Sequence, residues 1–187
     1  MILNTLPREF YLKNTVTVAK NLLGKKIVRK IGRQEISGII TETEAYRHKD
    51  DPASHAFRKI TDRNKAMFGD VGMAYVYFTY GMYYCFNVVA KHPKIEAGAV
   101  LIRAIEPEKG IKIMQKNRNI SNMKNLTNGP AKLTQAMKIT KEQYGIDLTK
   151  HSKLFITEGI KPKKISASSR IGIKEATDKL WNFKMKI

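Results

Sequence analysis

The sequence contains 187 residues, of which 42% are hydrophobic and 9% aromatic, values that favour one globular domain and exclude an intrinsically disordered chain. Its formal net charge of +19 predicts a polyanionic partner such as DNA, RNA or an anionic membrane surface, unless the charge only reflects a lysine-rich proteome. No apolar run approaches the length of a membrane span, and the first residues lack the features of a signal peptide. One cysteine excludes an internal disulfide and a multi-thiolate zinc site, so we expect a cytoplasmic protein.

The first predicted elements are a short helix and a strand. The helix begins near Thr17 and ends at Gly24, because glycine commonly terminates helices. Residues 25–29 predict the first strand, and a turn built on Gly32 follows it.

Residues 36–46 predict a second strand that carries the acidic residues of interest. Alternation places Glu42, Glu44 and Tyr46 on one face. Two carboxylates and a tyrosine on one face are unusual for a surface strand, although a solvated face remains an alternative. Alternation alone does not choose between the two carboxylates as a functional acid.

The polar segment after this strand predicts a helix that begins at Asp50-Asp51-Pro52 and carries His55 in its first turn. Asp51 and His55 then have the i,i+4 spacing of a helical metal-binding pair, but no third ligand stands in register. We therefore predict no metal site, and we expect His55 to form hydrogen bonds in a polar pocket.

Residues 73–90 predict a β-hairpin that turns at Tyr80-Gly81, where Gly81 supplies the positive φ of a tight turn. Its tip would expose Tyr80 and Met82, and exposed apolar groups at a protruding tip indicate a partner. In a cationic protein the partner would be a DNA base stack, into which such a wedge can insert. The alternative is that Tyr80 covers a neighbouring loop. Cys85, in the second arm, is interpreted as a buried filler rather than a nucleophile.

Residues 99–105 form a nearly continuous apolar run, which predicts a central strand. Arg103 interrupts the run, and a buried arginine needs an anion, so Glu42 or Glu44 is its candidate partner unless its head reaches the surface.

The remaining chain predicts a basic helix within residues 107–125 and a helix that starts at Pro130. Lys132, near the start of the latter helix, is a candidate phosphate contact. Residues 154–157 and 170–173 predict two strands joined by a polar connection, and the core closes near Trp181 and Phe183.

Taken in chain order, these residues resemble the alkyladenine (3-methylpurine) DNA glycosylases. The resemblance extends from Ala19 to Ile173 and is dense in these motifs: Glu42-Thr-Glu44-Ala-Tyr46, Asp51-Pro-Ala-Ser-His55, Thr61-Asp-Arg63-Asn64, Met67-Phe68, Tyr75-Val-Tyr77, Tyr80-Gly-Met82, Asn87, Val100-Leu-Ile-Arg103-Ala-Ile-Glu-Pro and Gly129-Pro-Ala-Lys132-Leu. The segment Leu180-Trp-Asn-Phe departs from the family pattern, because it lacks the proline and arginine usual there. The resemblance therefore does not support a final strand or a DNA contact from it.

The resemblance implies an α/β mixed (α+β) fold. Residues 1–187 would form a single compact domain around a curved antiparallel sheet, with a protruding β-hairpin that enters the DNA minor groove. It assigns Glu44 as the general base that activates water, with Arg103 and the backbone carbonyl of Ile171 as further contacts to that water. The remaining implied roles are base-pocket walls (Tyr46, His55, Tyr77), pocket selectivity (Asn87), filling of the gap in the duplex (Tyr80) and further DNA contacts (Met82, Leu101, Lys132).

The function implied is that of a monofunctional DNA glycosylase in base excision repair. It would flip alkylated or deaminated purines out of double-stranded DNA and leave an abasic site, without a metal or cofactor. We expect a monomer associated with the bacterial nucleoid. One alternative is a non-catalytic nucleic-acid-binding protein that stacks bases on its aromatic hairpin. Another is a metal-dependent nuclease that uses Asp50, Asp51 and His55. The sequence does not identify the preferred lesion.

Overall fold

An eight-stranded antiparallel sheet organises residues 4–186, the part of the chain that the computed structural model describes. The strands, in chain order, are β1 Lys26–Ile31, β2 Gln34–Arg47, β3 Ala74–Thr79, β4 Tyr83–Val89, β5 Gly98–Lys109, β6 Leu154–Thr157, β7 Lys164–Ser168 and β8 Asn182–Lys186. The α-helices are α1 Arg8–Tyr11, α2 Thr15–Leu22, α3 Ile111–Arg118 and α4 Pro130–Ala136. The predicted α+β fold, built as one compact domain around a curved antiparallel sheet, is confirmed.

Strand β2 is the centre of the sheet. Six strands follow the order β3-β4-β5-β2-β1-β6, and the β7–β8 pair joins through β8. One edge of β2 pairs with β5. Its other edge pairs first with β1 and then, over residues 42–44, with β8. The sheet therefore divides at the segment that carries the two acidic residues.

The register of β2 against β5 shifts twice at this division. Thr41 is an extra residue on β2, and Arg103 is an extra residue on β5 one pair later. Such β-bulges bend a strand, increase its twist and re-aim a side chain. They curve the sheet around the site and direct Arg103 toward the carboxylates of β2.

Helices α2 and α4 cover the sheet because their apolar residues recur at helical spacing. In α2, Asn14 caps the first turn by accepting from the Val16 amide at 2.9 Å, and the buried residues are Thr15, Val18, Ala19 and Leu22. Pro130 occupies the first turn of α4, as predicted, and Leu133 and Ala136 face the core. The basic helix predicted within residues 107–125 is the shorter α3.

The predicted hairpin is formed by β3 and β4, with Tyr80 and Gly81 at the turn. Both residues have positive φ, +51° and +68°, which are the signs of a type I′ turn. Gly81 adopts this conformation without strain, whereas for a residue with a Cβ this conformation costs roughly 1–2 kcal/mol of conformational free energy. The tip therefore holds a large aromatic side chain in a conformation that tyrosine disfavours.

Two of the predicted elements are wrong. Asp50-Asp51-Pro52 starts no helix, because residues 51–58 form successive turns. Residues 170–173 form a turn rather than a strand, since the Arg170 side chain points inward to Asp51 and Gly172 has a φ of +77°.

The C-terminal part also differs from expectation. The polar connection predicted over residues 161–169 contains β7, a strand whose five residues are all exposed and which forms because β8 offers it a partner. Strand β8, which the resemblance did not support, pairs with β2 and β7 and buries Phe183. Trp181 packs partly buried against the same core. Within residues 4–186, no helix combines the length and the apolar character needed to cross a bilayer.

Candidate active site

The carboxylate of Glu44, near the C-terminal end of β2, is fully buried and accepts four hydrogen bonds. Oε1 accepts from the backbone N–H of Ile171 at 2.7 Å and from Asn182 Nδ2 at 3.0 Å. Oε2 accepts from the Tyr46 hydroxyl at 2.9 Å and from Arg103 Nη1 at 3.2 Å. A buried carboxylate needs such partners, because removal from water without them is very costly.

Arg103 contacts two of the three acidic residues of β2, Glu42 and Glu44. Its Nε donates to Glu42 Oε1 at 2.9 Å while its Nη1 reaches Glu44. The predicted pairing of this buried arginine with a carboxylate of β2 is therefore confirmed, and it involves both candidates. Only Glu44 is completely removed from solvent, since the Glu42 side chain keeps 12% of its exposure and also pairs with Lys184.

A cavity of about 250 Å³ lies next to this carboxylate cluster. Its lining brings together the four predicted pocket residues (Tyr46, His55, Tyr77, Asn87) and four other predicted site residues (Tyr80, Leu101, Arg103, Ile171). His55 and Tyr77 meet edge to face with ring centroids 4.7 Å apart. Glu44 itself is not in the lining, because Tyr46, Arg103 and Ile171 stand between its carboxylate and the cavity.

Four titratable groups of the cavity, on Tyr46, Tyr77, Cys85 and His55, have pKa values shifted in the direction that favours their neutral forms. Burial, followed by the negative charge of Glu44, raises the pKa of the Tyr46 hydroxyl, so it remains a donor to that carboxylate. Burial similarly raises the pKa of Tyr77 and of the Cys85 thiol, in agreement with the interpretation of Cys85 as a filler. Partial enclosure of its ring and the nearby Arg63 cation lower the pKa of His55 to about 4.

Other predicted residues take less expected positions. Leu101 is 4% exposed and lines the cavity, so it can contact a base inside the cavity but not the outside of a duplex. Tyr80 and Met82 are 85% and 64% exposed at the hairpin tip, and Tyr80 also borders the cavity mouth. Lys132 Nζ binds the side-chain oxygens of Asn125 and Asn128, and its phosphate contact stays a prediction. The carbonyl role of Ile171 also stays a prediction, since only its amide binds Glu44.

A buried ion pair holds the segment that delivers Ile171. Arg170 donates two hydrogen bonds of 2.6 Å to Asp51, and both side chains are completely buried. Its guanidinium lies over the rings of Tyr46, at 4.7 Å, and Trp181, at 5.2 Å. Asp51 therefore faces an arginine rather than His55. Within residues 4–186, no three histidine, cysteine or acidic side chains come together as a metal site.

Several site residues escaped the sequence analysis. Asn182 lies on a strand that the sequence did not support, and Arg170 was interpreted as the start of a strand. Arg63 lies 4.9 Å over the Tyr77 ring, and Tyr75 donates or accepts at His55 Nδ1, 3.1 Å away. Both lie in motifs that carried the family resemblance, so their sequence context was the available signal.

Asp51→Ala should lower the free energy of unfolding by roughly 3–5 kcal/mol, because Arg170 would remain as an uncompensated buried charge. Urea denaturation measures the loss. Asp50→Ala is the matched control, since Asp50 pairs with Arg47 at the surface, where a pair contributes about 0–1 kcal/mol. Small and equal losses in the two variants would contradict the role of the buried pair.

The ring of His55 should titrate with a midpoint near 4 in an NMR experiment, so that it is neutral at pH 7. Arg63→Gln should raise this midpoint, because removal of a neighbouring positive charge favours the protonated ring. Arg33→Gln, on the β1–β2 turn, should leave it unchanged. A wild-type midpoint near the ordinary value of about 6.5 would show that the ring is not held as described.

Residues 9–187 match the family model described as methylpurine-DNA glycosylase. A protein of Carboxydothermus hydrogenoformans is 48% identical over 183 residues, which cover 97% of this chain and 95% of the relative. A protein of Clostridium acetobutylicum is 46% identical over 194 residues, which cover 97% of this chain and 94% of the relative. Both relatives carry the name "Putative 3-methyladenine DNA glycosylase". The chain belongs to the methylpurine-DNA glycosylase family.

Proposed function

We propose that this protein is a monofunctional DNA glycosylase that removes alkylated or deaminated purines from double-stranded DNA in base excision repair. The observation that carries the proposal is the buried carboxylate of Glu44, which lies behind Tyr46 and Arg103 at an aromatic cavity beside an exposed hairpin tip. The family membership and the names of the relatives support the same activity. The protein would work as a monomer on chromosomal DNA and would need no cofactor.

Glu44 would act as the general base. As the bond between C1′ and the base nitrogen breaks, its electron pair leaves with the base and positive charge develops on the sugar. Water then bonds to C1′ and gives one proton to the carboxylate. A cationic alkylated purine departs as a neutral base and needs no acid, whereas a neutral base such as hypoxanthine departs as an anion that takes a proton from the solvent. No lysine adduct forms, and an abasic site remains.

Water must take one of the four acceptor positions that Glu44 offers. Ile171 donates through its backbone, and Asn182 is completely buried away from the cavity. Arg103 is also bound to Glu42, whereas the Tyr46 hydroxyl bonds only Glu44 among the residues described. Tyr46 is therefore the donor that yields its position most readily. Arg103 and the Ile171 carbonyl would complete the contacts to the water.

The cavity would hold the extruded base between Tyr46, His55 and Tyr77. Stacking on such rings contributes about 1–3 kcal/mol per base. A cationic alkylpurine gains further from electron-rich rings and meets no positive charge on His55, whose low pKa keeps it neutral. Asn87, fixed by a 3.0 Å hydrogen bond to the Tyr75 carbonyl, would select among purines at the pocket wall.

Extrusion itself would depend on the hairpin tip. A base inside a duplex cannot reach a cavity, and its extrusion costs a few kcal/mol, least at damaged pairs. Tyr80 would fill the space that the base leaves, with Met82 beside it, and Lys132 would contact a phosphate. The net charge of +19 supports binding to the backbone, with an affinity that decreases as the salt concentration rises.

A non-catalytic nucleic-acid-binding protein would explain the net charge and the exposed hairpin tip but not the rest of the site. Such a protein has no use for a fully buried carboxylate held by an arginine next to an aromatic cavity. A metal-dependent nuclease is disfavoured because Asp51 is occupied by Arg170, and its activity would be lost in EDTA.

Glu44→Gln should lower the single-turnover rate of base release by at least about 100-fold, because general-base catalysis contributes about 10²–10⁴-fold. Duplexes that carry 3-methyladenine, 7-methylguanine, hypoxanthine or ethenoadenine are suitable substrates, and alkali treatment reveals the abasic sites. Affinity for the lesion duplex should change little. Glu35→Gln, on the same strand, is the control, and an unchanged rate in Glu44→Gln would remove the mechanism.

Tyr80→Ser should lower base release from duplex DNA by about ten-fold or more, since the gap left by the base is no longer filled. The same lesion in single-stranded DNA should be affected less, because it needs no extrusion. Phe78→Ser replaces another exposed aromatic of the same hairpin and serves as the control. Equal losses on single-stranded and duplex substrates would contradict the wedge role.

A further inference from the structure

Asn182 begins β8 and places its side chain between two carboxylates. Its Nδ2 donates to Glu42 Oε1 at 2.8 Å and to Glu44 Oε1 at 3.0 Å, and the residue is completely buried. An amide nitrogen carries two hydrogens, so each carboxylate receives one. The reversed amide would direct its oxygen at two carboxylates, and its orientation is therefore fixed.

The two carboxylates are held from both edges of β2. Arg103, on β5, donates to Glu42 through Nε and to Glu44 through Nη1. Asn182, on β8, donates to the same two groups from the opposite neighbouring strand. Arg103 and Lys184 supply the positive charges near the pair. Asn182 adds no charge, so it affects the orientation of the two carboxylates and not the balance of charge around them.

The two oxygens of Glu44 consequently differ. Oε1 is held by Asn182 and by the Ile171 amide, donors that are fixed by a buried side chain and by the backbone. Oε2 is bound by Tyr46 and Arg103, and both of these line the cavity. Both donors to Oε2 thus line the cavity, whereas of the two donors to Oε1 Ile171 lines it and Asn182 does not.

We propose that Asn182 is a positioning residue, which holds Oε1 of Glu44 so that Oε2 is presented to the attacking water. The proposal rests on the proposed function, because it refines the role of Glu44 in base release. The donor comes from the segment in which the sequence departs from the family pattern, Leu180-Trp-Asn-Phe. That departure therefore places a neutral amide at the catalytic carboxylate.

Two substitutions test this role. Asn182→Ala should lower the single-turnover rate of base release by about 10- to 100-fold at every pH between 5 and 8, because small misplacements of a catalytic group have effects of that order. Affinity for the lesion duplex should stay within about three-fold, since Asn182 lies away from the cavity lining.

Asn182→Asp keeps the shape of the side chain but brings a third carboxylate to the pair. Its rate should be lower than that of Asn182→Ala at pH 8. Relative to the wild type, its rate should recover as the pH falls, because a protonated aspartic acid can donate one hydrogen bond. Asn182→Ala, which introduces no ionisable group, should not show this recovery.

Met185→Ala is the matched control, since it removes a buried side chain from the same strand. It should reduce thermal stability without altering the pH profile. In ¹³C NMR the carboxyl signal of Glu44 should shift in Asn182→Ala and not in Met185→Ala.

The outcomes separate the two proposals. If the wild type released no base from any lesion duplex, the proposed function would fail, and the carboxyl signal would still report whether Asn182 holds Glu44. If the wild type were active and both Asn182 variants stayed within two-fold of it across the pH range, the positioning role would be overturned. An unshifted Glu44 signal in Asn182→Ala would overturn it as well.

Discussion

The architecture depends on the burial of one carboxylate. Glu44 is completely removed from water, and its four hydrogen-bond donors come from β2, β5, β8 and the turn after Arg170. If one of these elements were displaced, a buried charge would lose a partner, at a cost of several kcal/mol. The contacts that bring these elements together in the sheet therefore also form the site, although the elements are distant in the sequence.

Elements whose conformation is set locally were predictable from the sequence. The hairpin turn follows from Gly81, α4 from Pro130, and the central strand from its apolar run, and each lies where it was predicted. The errors fall where distant contacts decide the backbone. Asp51 lies in a turn because its carboxylate meets Arg170, 119 residues away in the chain. Strand β7 alternates Ile165 and Ala167 with polar residues but buries none of them, and its pairing with β8 makes it a strand.

The features of the site also separate into those that the sequence could predict and those that depend on distant contacts. Alternation was sufficient to bring the carboxylates of Glu42 and Glu44 to one face, and electrostatics was sufficient to pair them with Arg103. Neither could reveal the two bulges that re-aim Arg103, because a register shift is a property of two strands together. The contribution of Asn182 was equally hidden, since it needs the register of a strand that one chain segment alone does not specify.

The backbone of Tyr80 has a consequence for protein engineering. Its φ of +51° is a value that glycine and asparagine adopt more readily than tyrosine. Selection for heat resistance alone would therefore favour replacement of this aromatic by a smaller residue. Variants obtained in that way would melt at a higher temperature but would lack the aromatic side chain to which the proposed function gives the filling of the duplex gap. An industrial or laboratory screen of this family should therefore score activity on duplex DNA alongside melting temperature.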